Sequence, residues 1–381
     1  GRLDWQRIYS WLAWGCGQPF DAVDNPELHQ ELLTCTGACC KALGIEAPPV
    51  GASAASVPAL ALFGFGINEV RATFKPLPVR AAVRSVSLLS RLALRGLGLR
   101  RVVEPMAEGI DLICWTDLPR GGRPKYGSRK PPVLFMHGLG MGNCTYLSLF
   151  LGPRGKAWRE GGCIVMELPC MTSSLDALRG MADVASYADA LSRLLREQLG
   201  CSDFEYDVMC HSLSAYLAAL LNNAGSPCRP RRTVLLDPVC FLDGVEVVSR
   251  FPFRTPEECQ AFAERTVLFP KFLPMAIRWL LGWGFRQFVC RDIITQYSIL
   301  RWNGTDATKI FWQNPAAEGL VCLSDDDHFL PAARVAKHCQ GHFPRLKLFH
   351  MPGKDHGSFV VESDLRAKML DRVAVFLDTG E

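Results

Sequence analysis

Short, mainly apolar runs recur along the chain from about residue 110, separated by stretches in which apolar residues return every three or four positions. The runs are Ile110–Trp115, Val133–Met136, Cys163–Leu168, Tyr206–Met209, Thr233–Asp237, Gly319–Leu323 and Leu346–His350, with single charged residues at Asp111, Glu167, Asp207, Asp237 and Lys347. Apolar runs of this length suit parallel strands covered on both faces. Helical patterns follow at Met181–Leu199 and Ala215–Leu221. The alternation predicts an α/β fold: one mostly parallel sheet flanked by helices.

Three segments stand outside this alternation. Residues 1–46 read as short helices carrying Trp5, Trp11 and Trp14, ending at Cys35, Cys39 and Cys40. Residues 47–77 are rich in Pro, Gly and Ala and suit an extended cover. From Val79 to Arg101 a basic amphipathic helix is expected, with Arg80, Arg84, Arg91 and Arg95 in a narrow arc and Leu88, Leu89, Leu92 and Leu99 on other faces. Two uses fit it: a surface helix with its leucines in the core, or an interfacial helix on anionic lipid. The third segment, 241–311, is rich in Phe, Trp, Leu and Arg and interrupts the alternation after a strand. An insertion there lies over the ligand crevice of an open sheet, so a helical cap is expected. The organisation is thus an N-terminal helical extension, 1–104, a core made of 105–240 and 312–381, and a cap, 241–311. Leu118–Pro132 is a basic loop.

Composition narrows the partners. The chain has 381 residues, 49% hydrophobic and 21% charged, enough to bury a large core. A net charge of +4, with no zinc-finger or RNA-binding signature, gives no reason to expect nucleic acid. None of the 16 cysteines falls in a C-x-x-C pair, and several sit inside apolar strands. They read as reduced, buried small hydrophobes, which suits an intracellular, reducing compartment. The uncharged stretch 47–68 contains Pro48, Pro49 and Pro58, and Phe269–Phe288 contains Lys271, Arg278 and Arg286, so neither reads as a membrane span. Peripheral membrane contact through residues 79–101 or the cap, and a protein partner on the N-terminal extension, are the macromolecular contacts to expect.

The candidate chemistry sits at strand ends. Ser212 lies on a short turn, Cys210–Ser214, between an apolar strand and an apolar helix. Such a turn pushes a hydroxyl out of the sheet, and the helix N-terminus behind it favours developing negative charge. His137-Gly138-Leu139-Gly140-Met141-Gly142 follows another strand; its glycines let a backbone wrap closely around an oxygen. Ser324-Asp325-Asp326-Asp327-His328 supplies carboxylates after a third strand. Met351–Gly357 carries His356 on a glycine-bounded loop after the last. A serine, an imidazole and a carboxylate together make an activated nucleophile.

With these four elements in this order, residues 105–381 resemble the α/β-hydrolase superfamily. More narrowly they are similar to the α/β-hydrolase-domain proteins of fungi, algae and plants, through the H-G-L-G-M-G loop followed by Tyr146 and Leu147, the strand end Leu236–Phe241 and the stretch Asp292–Trp312. The resemblance implies serine-hydrolase chemistry on esters with no metal or organic cofactor. It implies Ser212 as nucleophile, His356 as base, and an oxyanion hole from the N–H groups of Leu139 and Leu213. It favours Asp327, four residues before Pro331, as the acid; Asp325, Asp326 and Asp237 are its rivals. The sequence departs from the family's G-x-S-x-G at Cys210 and Ser214, both small. An apolar cap would suit a lipophilic carboxylic ester. The alternative is a weakly active or inactive scaffold subunit of a larger, membrane-bound assembly, which the altered turn and the Trp-rich extension would suit.

Overall fold

Each of the seven apolar runs forms a strand, and an eighth strand precedes them. The computed structural model describes residues 77–106, 111–119, 130–168, 171–172, 184–199, 205–223, 228–241, 274, 277, 283 and 312–381. The strands are β1 (Arg100–Pro105), β2 (Asp111–Thr116), β3 (Val133–Met136), β4 (Cys163–Glu167), β5 (Asp207–His211), β6 (Arg232–Leu236), β7 (Glu318–Ser324) and β8 (Leu346–Met351). They form one sheet in the order β1-β2-β4-β3-β5-β6-β7-β8. β2 runs antiparallel to both β1 and β4, and every other pairing is parallel. β3 is the topological switch: the chain leaves it to one side for β4 and returns on its other side as β5. Ligand crevices form outside the carboxyl ends of strands at such a point.

The side chains of the inner strands alternate between two cores, as a pleated strand requires. Leu134, Met136, Ile164, Met166, Val208 and Cys210 enter one core. Helices α3 (Val184–Arg193), α4 (Ala215–Asn222) and α5 (Ala332–His342) cover that face. Val133, Phe135, Cys163, Val165 and Met209 enter the other. There α1 (Leu77–Gly96), α2 (Gly152–Trp158) and α6 (Ser363–Thr379) contribute Leu94, Trp158 and Phe376.

Two expectations about the N-terminal side need correction. The helix expected over Val79–Arg101 stops at Gly96, because Gly98 adopts φ +86° and Leu99 N–H turns back to Leu94 O at 3.1 Å. Arg100–Pro105 then joins the sheet as edge strand β1, so the sheet begins ahead of residue 105. The leucines expected on this helix divide between core and surface. Leu88, Leu89 and Leu92 are 48%, 63% and 64% exposed, whereas Leu94 and Leu99 are buried. Arg80 and Ser90 turn inward with Leu94, and Arg91 grips Glu167 through three contacts of 2.8–3.2 Å.

The expected Trp-rich helices, nearly all of 47–77, most of the basic loop and all of the expected cap except residues 241, 274, 277 and 283 lie outside the described residues. Among the described residues no helix is long and apolar enough to cross a membrane. The eight cysteines among them are free thiols, all but Cys144 buried.

Candidate active site

β5 is buried along its whole length and delivers the chain to Ser212 at the sheet's carboxyl edge. Ser212 takes φ +57°, a left-handed conformation that costs a non-glycine residue on the order of 1 kcal/mol or more. A single helical turn, Ser212–Ser214, leads directly into α4. The two residues that replace the usual glycines are accommodated differently. Cys210 is fully buried in the core. The Ser214 hydroxyl, also buried, lies 3.0 Å from Met136 O and 2.9 Å from His211 O, tying the end of β3 to the turn. A glycine would make neither contact.

The glycine loop after β3 is fixed from both sides. His137 is buried; its Nδ1–H donates to Gly138 O at 2.8 Å and its Nε2 accepts Leu168 N–H at 3.0 Å. Burial, against the pull of the Gly138 carbonyl, holds its pKa down to about 4, so it stays neutral. Gly138 N–H donates to Tyr146 Oη at 3.1 Å, and Gly140 N–H donates to Met171 O at 2.9 Å. A side chain at Gly138 would stand 2.6 Å from His211 Nδ1, so the position has no room for one.

Ser212 Oγ lies 3.0 Å from His356 Nε2, and His356 Nδ1 lies 2.6 Å from Asp327 Oδ2. The Asp327 carboxylate is fully shielded, and its Oδ1 accepts the N–H groups of Phe329 and Leu330 at 2.6 and 2.9 Å. Phe329 sets its ring edge-on to His356, 5.1 Å between centroids. The rival carboxylates are engaged elsewhere. Asp325 pairs with His350 at 2.7 Å, and Asp326 is exposed. Asp237 ends β6 with φ +43° and accepts Ser324 N–H, the Ser324 hydroxyl and Gly357 N–H at 2.7–3.0 Å. It ties β6, β7 and the histidine loop together without bonding His356.

The charges around His356 act on one another. Burial disfavours its imidazolium, but the charge and hydrogen bond of Asp327, with Asp237 and Asp355 behind, outweigh burial and raise it to about 9. Burial likewise raises Asp237 to about 6; the positive His356 opposes that shift and the negative Asp327 adds to it. His211, Asp237 and His356 each bring a potential ligand atom within 4.8 Å of the others. Both His356 nitrogens and the Asp237 oxygens already hold hydrogen bonds, so a cation there would have to displace them.

Three further residues, given no role by the sequence patterns, shape the site. Asp355, next to His356, accepts His356 N–H at 2.8 Å and lies 2.8 Å from His328 Nδ1, setting the loop's shape. His211, next to Ser212, meets the hydroxyl of Tyr146 at 2.7 Å. Burial, then the neighbouring His356 and His137, push His211 well below the usual histidine range, so it is neutral. Tyr146 Oη thus accepts from Gly138 and shares a second bond with His211 Nδ1, whose direction follows the His211 tautomer; the other ring nitrogen is Nε2. That nitrogen has no hydrogen-bond partner among the described residues. Adjacency to Ser212 and His356 was the available signal for His211 and Asp355; Tyr146 offered none beyond its place after the glycine loop.

A serine hydroxyl on a neutral imidazole that is itself held by a carboxylate can attack an electrophilic carbon. The fold has solved counterparts. A bacterial membrane phospholipase A, described as a virulence factor, is 16% identical, with 80% of this chain and 94% of that one covered and a TM-score of 0.52. Naproxen esterase (carboxylesterase NP) from Bacillus subtilis is 12% identical over 80% and 99%, TM-score 0.50. A serine hydrolase from the polyaromatic-hydrocarbon-degrading bacterium Cycloclasticus zankles is 13% identical over 74% and 98%, TM-score 0.50. At these identities the likeness speaks for the fold alone. No curated protein matches the sequence. The sequence of residues 133–369, well over half the chain, fits the family model described as "Alpha/beta hydrolase family". With the strand order and the elbow at Ser212, this match decides the assignment: the chain belongs to the alpha/beta hydrolase family.

Proposed function

We propose that the protein is a serine hydrolase that cleaves a lipophilic carboxylic ester. The observation that carries this reading is the hydrogen-bonded row Ser212 Oγ, His356, Asp327, at 3.0 and 2.6 Å. Ser212 Oγ attacks the ester carbonyl while His356 Nε2 takes its proton. Asp327 stabilises the imidazolium and keeps the ring in one tautomer. The oxyanion accepts N–H bonds from Leu213, beside the nucleophile, and from Leu139. Leu139 is the choice within the loop because the N–H groups of Gly138 and Gly140 on either side are already bonded. The carbon–oxygen bond then breaks, His356 protonates the departing alcohol, and an acyl group remains on Ser212. Water, deprotonated by His356, attacks that acyl group and releases the acid.

The lipophilic part rests on the Phe-, Trp- and Leu-rich segment 241–311, which follows a strand end on the crevice side of the sheet. Its role as a cap belongs to this proposal. The phospholipase and esterase named above are in keeping with an ester substrate.

A fluorophosphonate probe tests the reading. The purified protein should be labelled covalently, and the S212A variant should fold and stay unlabelled. A folded wild type that takes no label would overturn the reading in favour of a non-catalytic scaffold.

A further inference from the structure

Helix α1 turns a mixed side of arginine, serine, valine and leucine inward. Arg80, Ser90 and Leu94 are buried, and Arg91 is bound to Glu167 of β4. The outward side carries Leu77 at 76% exposure together with Leu88, Leu89 and Leu92. Of the ten exposed large hydrophobic residues among those described, these four lie on this one helix. At about 100° per residue, Leu77, Leu88 and Leu92 follow one line and Leu89 lies beside it. Arg84 and Arg95, both exposed, border that line on one side. Besides the residues it buries, this helix presents a second apolar stripe to solvent with a basic margin.

The charge pattern selects what covers the face. Residues 77–101 contain six arginines and no aspartate or glutamate. An apolar stripe with a basic edge is what an interfacial helix needs: leucines for the boundary between headgroups and acyl chains, arginines for the phosphates. The helix also packs on Gly142–Tyr146, the turn that follows the glycine loop, so a surface under α1 would lie near the crevice.

We propose that α1 docks the protein on anionic lipid, with Leu88, Leu89 and Leu92 entering the bilayer interface and Arg84 and Arg95 at the level of the phosphates. The docking does not depend on the hydrolase reading, because it uses no residue of the crevice.

Sedimentation of the full chain with large vesicles tests it. The probes are vesicles of phosphatidylcholine alone and of phosphatidylcholine mixed with phosphatidylserine, at low and high salt. The wild type should pellet with the mixed vesicles at low salt and be released by salt. R84Q/R95Q should bind more weakly, by about fivefold per arginine removed. L88Q/L89Q/L92Q should lose binding altogether, although every changed side chain is exposed and the thermal melt should be kept. S212A should bind like the wild type, which separates this result from any failure of the hydrolase reading. Equal binding to neutral vesicles, variants that bind like the wild type, or a wild type that stays in the supernatant would each overturn the proposal. So would a dimer that the leucine variant dissolves, which would assign the face to a second copy of the chain.

Discussion

The Tyr146 hydroxyl lies 2.7 Å from His211 Nδ1 while accepting the N–H of Gly138 at 3.1 Å. One oxygen thus joins the residue before Ser212 to the loop that carries Leu139. The Ser212 turn and the glycine loop share this buried fastening, and neither can shift without breaking it. In Y146F, Gly138 N–H and His211 Nδ1 would be left buried without a partner, at roughly 2 kcal/mol or more in stability. Urea unfolding should report that loss. In the fraction still folded, kcat should fall while KM changes little, since an oxyanion donor acts mainly in the transition state. A folded Y146F with unaltered kcat would confine the hydroxyl to a structural role.

Asp327 should be the carboxylate that matters among its neighbours. D327N keeps the shape but not the charge, and under the proposed mechanism turnover should drop on the order of 10⁴-fold. D325N and D326N should stay within a few-fold of the wild type. Asp325 serves His350 instead, and Asp326 faces solvent. Steady-state rates of the three variants on one short ester make the comparison.

The pH profile should lean to the alkaline side. His356 works as a base only when neutral, so kcat/KM should rise with pH as its proton leaves. The surrounding carboxylates outweigh burial and hold that proton up to about 9, so the midpoint should lie above the ordinary 6.5. Asp237 is one of those carboxylates. Taking away its charge in D237N should move the midpoint to lower pH in whatever fraction folds. A midpoint unchanged by D237N would deny the electrostatic link.

Acyl length should govern rate if 241–311 lines the crevice. Each methylene taken out of water is worth about 0.8 kcal/mol, close to fourfold. Octanoyl esters should therefore exceed acetyl esters in kcat/KM by a wide margin. A preference for acetyl would remove the lipophilic part of the proposal and leave the serine chemistry intact.

The sheet was legible because its inner strands are buried on both faces and so spell short, mainly apolar runs. β1 was not, because Arg100, Arg101, Glu104 and Pro105 are residues that suit an exposed edge and hide a strand from a hydrophobicity pattern. Ser212, Asp327 and His356 could be picked out since each sits just beyond a strand. The pairing of Tyr146 with His211 spans 65 positions and leaves no local mark. The amphipathic pattern of α1 defined its two faces but not which one turns inward. Glu167, the partner that decides this by holding Arg91, lies 76 positions away.

The buried thiols amount to a set of clocks distributed over the sheet. Cys114 sits on β2, Cys163 on β4, Cys210 on β5 and Cys322 on β7, each out of contact with water. Burial pushes the thiols of Cys114, Cys210 and Cys322 far above their ordinary range, so almost no reactive thiolate exists while the strands stay paired. A brief pulse of an alkylating reagent under rising denaturant, read by peptide mass, would therefore time the opening of individual strands. The native sequence already carries the reporters, and strands that open together would tick together.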